Sequence, residues 1–161
     1  MARLEQLFST GGDGSGIIDM AGLPNVYKVV PPPGYTYELF RMNLVMEDAT
    51  KFSGDLYGGV TALTNGIVIT TEGQAGVIIN HTPQPIKKSG HWALVAGVDM
   101  AMTDFATGND IITVRWTFAK GGSNIVLDGN KGEFIKVNVR DTLAGLVSHI
   151  IQVQGESRWT G

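Results

Sequence analysis

The chain contains no cysteine, which excludes disulfide frameworks and cysteine-ligated metal centres. Charge is scarce too. Asp, Glu, Lys and Arg make up 17% of 161 residues, against a usual ~25%. No basic run exists, so the chain lacks the electrostatic footprint that a nucleic-acid backbone requires. Apolar runs are short, and nothing approaches the ~20 residues of a membrane helix. Met1–Phe8 carries no apolar stretch of signal-peptide length. Folding in the cytoplasm is expected, with neither membrane nor nucleic acid as a partner. Helical periodicity is almost absent.

Glycine is abundant, at 22 residues. It punctuates the chain without a fixed period, which points to many tight turns. Hydrophobic content is ordinary at 43%, and the length suits one domain with a real core. A free monomer surface is normally rich in charge, whereas interface cores are poor in it. A low-charge chain is therefore expected to bury surface against other chains.

Residues 1–25 read as an N-terminal arm, with residues 3–8 as a possible short helix. The arm hinges at Gly11-Gly12-Asp13-Gly14-Ser15-Gly16, where ordering would cost much backbone entropy. Its apolar residues Leu4, Leu7, Phe8, Ile17, Ile18 and Met20 form a candidate docking set. Residues 26–155 hold about eight β-type runs, and 156–161 read as a frayed tail. Pro31-Pro32-Pro33-Gly34 is a stiff step into the strongest strand, Tyr35–Met46. There Phe40, Met42, Leu44 and Met46 form an apolar even face. Ile67–Thr71 and Gly76–Asn80 read as a hairpin. His91–Val98 reads as a strand with Trp92, Leu94 and Val98 on one face. Asp99–Asp110 reads as a loop, and Ile111–Phe118 as a clear strand. Ile125–Leu127 and Glu133–Val139 flank a turn at Asp128–Gly132, and Leu146–Gln154 ends the series. Short strands between turn signals predict an all-β antiparallel sandwich, of jelly-roll or related Greek-key type.

Sites with chemistry are weak throughout. The glycine-rich hinge lacks the Gly-Lys-Ser/Thr of a phosphate loop. The Asp128–Glu133 run opens like a calcium loop but fails its spacing. His81, His91 and His149 have no second ligand at metal-binding spacing. His149 alternates with Val147, Ile151 and Val153, which predicts a core histidine with an internal hydrogen bond. Glu47, Asp48 and Asp55 share one loop, and Asp99 and Asp104 another. Acid–base work would need those loops to meet. The loop aromatics Phe52, Tyr57 and Phe105 either stack on sugar rings or plug the core or a subunit interface. The packing role is expected. No catalytic residue, metal or cofactor is assigned, and the chain is expected not to be an enzyme.

Several segments together carry a family likeness. They are Pro32–Met42, Val45–Asp48, Tyr57-Gly58, Ala62–Ile67, Arg115–Lys120, Leu127–Gly129, Gly145–His149 and Val153–Gly155. Across roughly residues 30–155 the chain resembles a family of small proteins encoded by tailed bacteriophages. The resemblance implies a jelly-roll-like virion structural protein with no known chemistry. It suggests a capsid decoration (cement) protein or the base of a head spike or fibre. The expected state is a homotrimer held to the major capsid protein or other virion proteins. A neck, tail or baseplate component is the alternative within the particle. A carbohydrate-binding module, with a glycan as ligand, is the alternative of another class.

Overall fold

The computed structural model describes residues 2–4, 25–57, 61–73, 76, 78–103 and 109–161. Among them 52% are strand and 10% helix, and the helix consists of short 3-10 turns. No helix among them is long and apolar enough to cross a membrane. Ten strands form two antiparallel sheets. The larger sheet holds β1 (Ala2–Leu4), β10 (Ser148–Trp159), β3 (Tyr35–Asp48), β7 (Asp110–Thr117) and β6 (Val98–Thr103) in that order. β8 (Ile125–Asp128) pairs with the first part of β3, and β7 pairs with the rest. The smaller sheet runs β2 (Asn25–Val29), β9 (Phe134–Val139), β4 (Ile67–Glu72), β5 (Ile78–Asn80).

Period-2 patterning explains the packing. Met42, Leu44 and Met46 of β3, Ile112, Val114 and Trp116 of β7, and Ile151 and Val153 of β10 point inward. From the other sheet come Tyr27, Val29, Ile67, Ile69, Ile135, Val137 and Val139. The two inner faces form one core. Tyr27 crosses it, its hydroxyl donating to the Ile151 carbonyl at 2.9 Å.

The β3 face does not follow the simple even pattern. Arg41 opposes Gln154 on β10, but Leu39 opposes Gly155, so Phe40 is an extra residue. On the other edge Thr117 likewise faces Arg41, and Ile125 faces Leu39. This β-bulge flips the parity. Leu39 is fully buried in place of Phe40.

Other segments also depart from the sequence reading. Residues 3 and 4 lie in a strand, β1, against β10. Ser89–Leu94 is a 3-10 turn that buries Trp92 and leaves Leu94 exposed. Part of the expected 99–110 loop is β6, paired along β7. The Asp128–Gly132 turn joins no hairpin, because β8 and β9 belong to different sheets. It is a corner where the chain changes sheet. β10 runs on past Gln154 to Trp159, pairing with β3 as far as Tyr35.

Pairing is nested along the chain. β1 lies beside β10, β2 beside β9, β3 beside β8, and β4 beside β5. β6 and β7 form an added hairpin on the larger sheet.

Candidate functional site

Of the loop aromatics for which a packing role is expected, Phe52 and Tyr57 pack inside the subunit. Tyr57 is fully buried and Phe52 nearly so, both in the core of their own subunit. They are available neither to stack on a sugar nor to line an interface. The reason is the loop's anchorage. Ser89 N–H donates to the Leu56 carbonyl, Gly90 N–H to that of Gly54, and Phe52 N–H to the Asp110 carboxylate. Tyr57 meets His149 at 2.6 Å, hydroxyl to Nε2. The core histidine and its internal bond are as the alternation predicts, but Val147, just before β10, is exposed rather than part of that inward row. Leu7, Phe8, Ile17, Ile18, Met20 and Phe105 lie outside the described residues, and Leu4 is placed only by its backbone in β1.

The polar candidates are occupied within the fold. Asp48 and Asp110 face each other in register and are both buried. Asp48 accepts from the backbone and hydroxyl of Thr50 at 3.0 Å. Asp55 sits in a surface turn with Ser53, and Asp99 pairs with Lys120 on another part of the sheet. The two acidic loops thus do not bring Asp55 and Asp99 together, and Asp104 lies outside the described residues. In the Asp128–Glu133 corner, Asp128 accepts from Asn130 N–H, and Glu133 accepts from Asp128 N–H at 2.7 Å. These carboxylates hold the turn. Among the described residues no group of three His, Asp or Glu side chains is placed to hold a metal ion.

Two aromatic surfaces stand out among the described residues. The first is an aromatic corner that sequence patterning missed. Trp159 lies across Gly34 and meets Tyr35 edge-on, with ring centroids 5.3 Å apart. Gly34 takes φ +88°, and a Cβ there would sit 2.4 Å from the Trp159 ring. Thr160 N–H donates to the Gly34 carbonyl, and Gly34 N–H to Asn130 Oδ1. Asn130 Nδ2 in turn donates to the Gly161 carbonyl. The chain end is therefore tied to the polyproline step and to the 128–132 corner. Trp159 is nonetheless 68% exposed, and Tyr35 and Val30 are exposed as well. The signal was a Trp and a Tyr in strand-like context, obscured by the glycines beside them.

The second is a cleft of about 420 Å³ between the sheets, on the side where β5 and β8 end them. Trp116, Phe118 and His81 line it, with Ile79, Asn124 and Val126 among its other walls. Trp116 meets Phe118 edge-on at 4.6 Å and His81 at 5.4 Å. His81 Nε2 lies 2.7 Å from the Thr71 hydroxyl. Burial holds the His81 imidazole below its ordinary pKa, so it stays neutral at neutral pH. Among the described residues no charged side chain lines the cleft. Its chemistry suits a neutral ligand, with the Thr71 hydroxyl and the His81 imidazole as the hydrogen-bonded polar pair at its wall.

No family model, curated protein or solved structure matches this chain.

Proposed function

We propose that this protein is a structural component of a tailed-bacteriophage particle, a capsid decoration protein or spike base that works by contact. The observation that carries the reading is the aromatic corner. Trp and Tyr are the residues that most often anchor interfaces. Here both are held rigidly by backbone bonds yet left open to solvent. The buried polar groups described above serve the fold itself, which agrees with a contact role. The nested pairing of β1 with β10, β2 with β9, β3 with β8 and β4 with β5 supports a jelly-roll sandwich, since that fold is a long hairpin wrapped into two sheets. The likeness across residues 30–155 supports the particle as its setting, and low charge supports burial in an assembly.

Counting copies in purified particles by quantitative mass spectrometry tests the setting. Hundreds of copies are expected. A dozen or fewer moves the protein to the neck or tail, and none removes it from the virion. The corner is tested by Trp159→Ala. Because the ring is mostly exposed, the variant is expected to melt within a few degrees of the parent. Its retention on the particle is expected to fall about thirtyfold, the loss of a hot-spot side chain. Unchanged retention would remove the corner from the interface.

A carbohydrate-binding reading keeps one support, the neutral aromatic-lined cleft at Trp116 and His81. Sugar binding that is lost on Asn124→Ala, with particle retention unchanged, would favour it.

A further inference from the structure

The outer face of the larger sheet holds two arginines that no hydrogen bond or ion pair reaches among the described residues, although Arg115 lies in the field of Asp99. β3 places Arg41 and Asn43 outward, and β7 places Arg115 and Thr113 outward beside them. Arg115 lies opposite Asn43 on one side and Asp99 of β6 on the other. Arg41 is one diagonal step from Arg115, a spacing within reach of long side chains. Both line a concavity of about 400 Å³ together with Asn43, Thr113 and Asp99. Among the described residues no hydrogen bond or ion pair reaches either guanidinium. The Nε of Arg41 is shielded from solvent and has no acceptor. The carboxylate of the concavity, Asp99, pairs with Lys120 at 2.8 Å and faces Arg115 only through space, with no hydrogen bond to its guanidinium.

This arrangement is costly as it stands. Like charges on neighbouring sheet positions repel, and a buried donor without an acceptor loses its hydration uncompensated. The chain has only 12 Lys and Arg and a net charge of −3, so two guanidiniums side by side without a hydrogen-bonded acceptor do not follow from general basicity. A guanidinium offers donors only, in a planar fork that fits two oxygens at once. We propose that the concavity between Arg41 and Arg115 is an oxyanion site, in which the two forks close on one carboxylate- or phosphate-type group. Asn43 and Thr113 supply further polar contacts at its wall, and the Asp99–Lys120 pair closes one side without adding net charge. The oxyanion has two possible sources: a free small anion, or an acidic side chain of a neighbouring protein. The site stands on its own geometry and does not depend on a place in a virion.

The test is calorimetry on the full chain at low ionic strength, where screening is weak. Three probes are used: inorganic phosphate, citrate and a hexaglutamate peptide. At least one is expected to bind at a single site. Arg115→Gln and Arg41→Lys are each expected to weaken it at least about tenfold, the second because a lysine keeps the charge but loses the fork. Lys88→Gln, outside the concavity, is expected to leave binding unchanged. Tighter binding of the peptide identifies a protein side chain as the source. Binding of phosphate or citrate alone identifies a free anion. Arg115 is exposed, so its variant is expected to fold. If Arg41→Lys is unstable, Arg115→Gln decides alone. The proposal is overturned if no probe binds more tightly than about 10 mM, or if Arg115→Gln binds as well as the parent.

Discussion

At position 149 the inward row of β10 carries a histidine among Ile151 and Val153, and it is fully buried. Among the described residues its hydrogen-bond partner is the Tyr57 hydroxyl, on Nε2, and Nδ1 has none. Burial drives the imidazole down to about 3 and pushes the Tyr57 phenol well above its ordinary value. Both groups are therefore neutral in the fold across the physiological range. The sign of the pH effect follows. Between the ordinary histidine value of 6.5 and about 3, the unfolded chain takes up a proton that the folded chain refuses. Stability is intact above pH 6.5 and declines as pH falls through that window, by about 1.4 kcal/mol per pH unit for this one group. Denaturant midpoints measured from pH 7 to pH 4 should show the decline, and His149→Leu should flatten it. Tyr57→Phe strands the second ring nitrogen as well. It is expected to cost about 1–3 kcal/mol, and less when His149 is already Leu, since the stranded group is then gone. Additive losses in that double-mutant cycle would mean the two side chains are not coupled.

At the scale of elements, the bulge in β3 governs how the larger sheet is built. It lets one 14-residue strand bury Met42, Leu44 and Met46 along one half and Leu39 along the other. It also lies where β7 gives way to β8 on the facing edge. Gly155 sits opposite the bulge, and an added Cβ would fall 2.3 Å from the Glu38 carbonyl oxygen. That neighbour is backbone and cannot swing aside. Gly155→Ala is expected to cost at least about 1–3 kcal/mol through overpacking. Gly54→Ala is the matching control, because a Cβ there meets nothing within 4 Å. It is expected to be neutral or slightly stabilising through the unfolded state. Thermal melts of the two variants check both outcomes, and equal behaviour would refute the close approach at Gly155.

For the whole molecule, the first and last strands meet. β1 covers the outer edge of β10, with Arg3 opposite Glu156. Removing residues 1–24 should leave the two-sheet core intact, because every described residue of that core lies after them. It should also bare a row of unpaired backbone groups on β10, which invites edge-to-edge association. The shortened chain is expected to melt cooperatively but to associate at lower concentration than the full chain in sedimentation. Failure to fold would place the N-terminal segment in the subunit's own core. Monomeric behaviour with normal particle binding would leave the arm without a role in either.

What the sequence alone determined was the class of fold and most strand positions, because period-2 burial is written locally in runs such as Ile112, Val114, Trp116. The hairpin of β4 and β5 and the buried histidine were legible for the same reason. Four things needed the tertiary structure. Phe40 alternates as a core residue should, yet the bulge that displaces it exists only because β10, β7 and β8 meet β3 there. The Asp128–Gly132 turn has hairpin chemistry, yet the next strand's partners lie in the other sheet. Tyr57 reads as a loop aromatic until backbone bonds from Ser89 and Gly90 fold its loop onto the core. The pairing of Trp159 with Tyr35, and of Arg41 with Arg115, joins residues far apart in the chain. Local preference sets what a segment is, but which segments touch is decided by long-range pairing, and that carries no local signature.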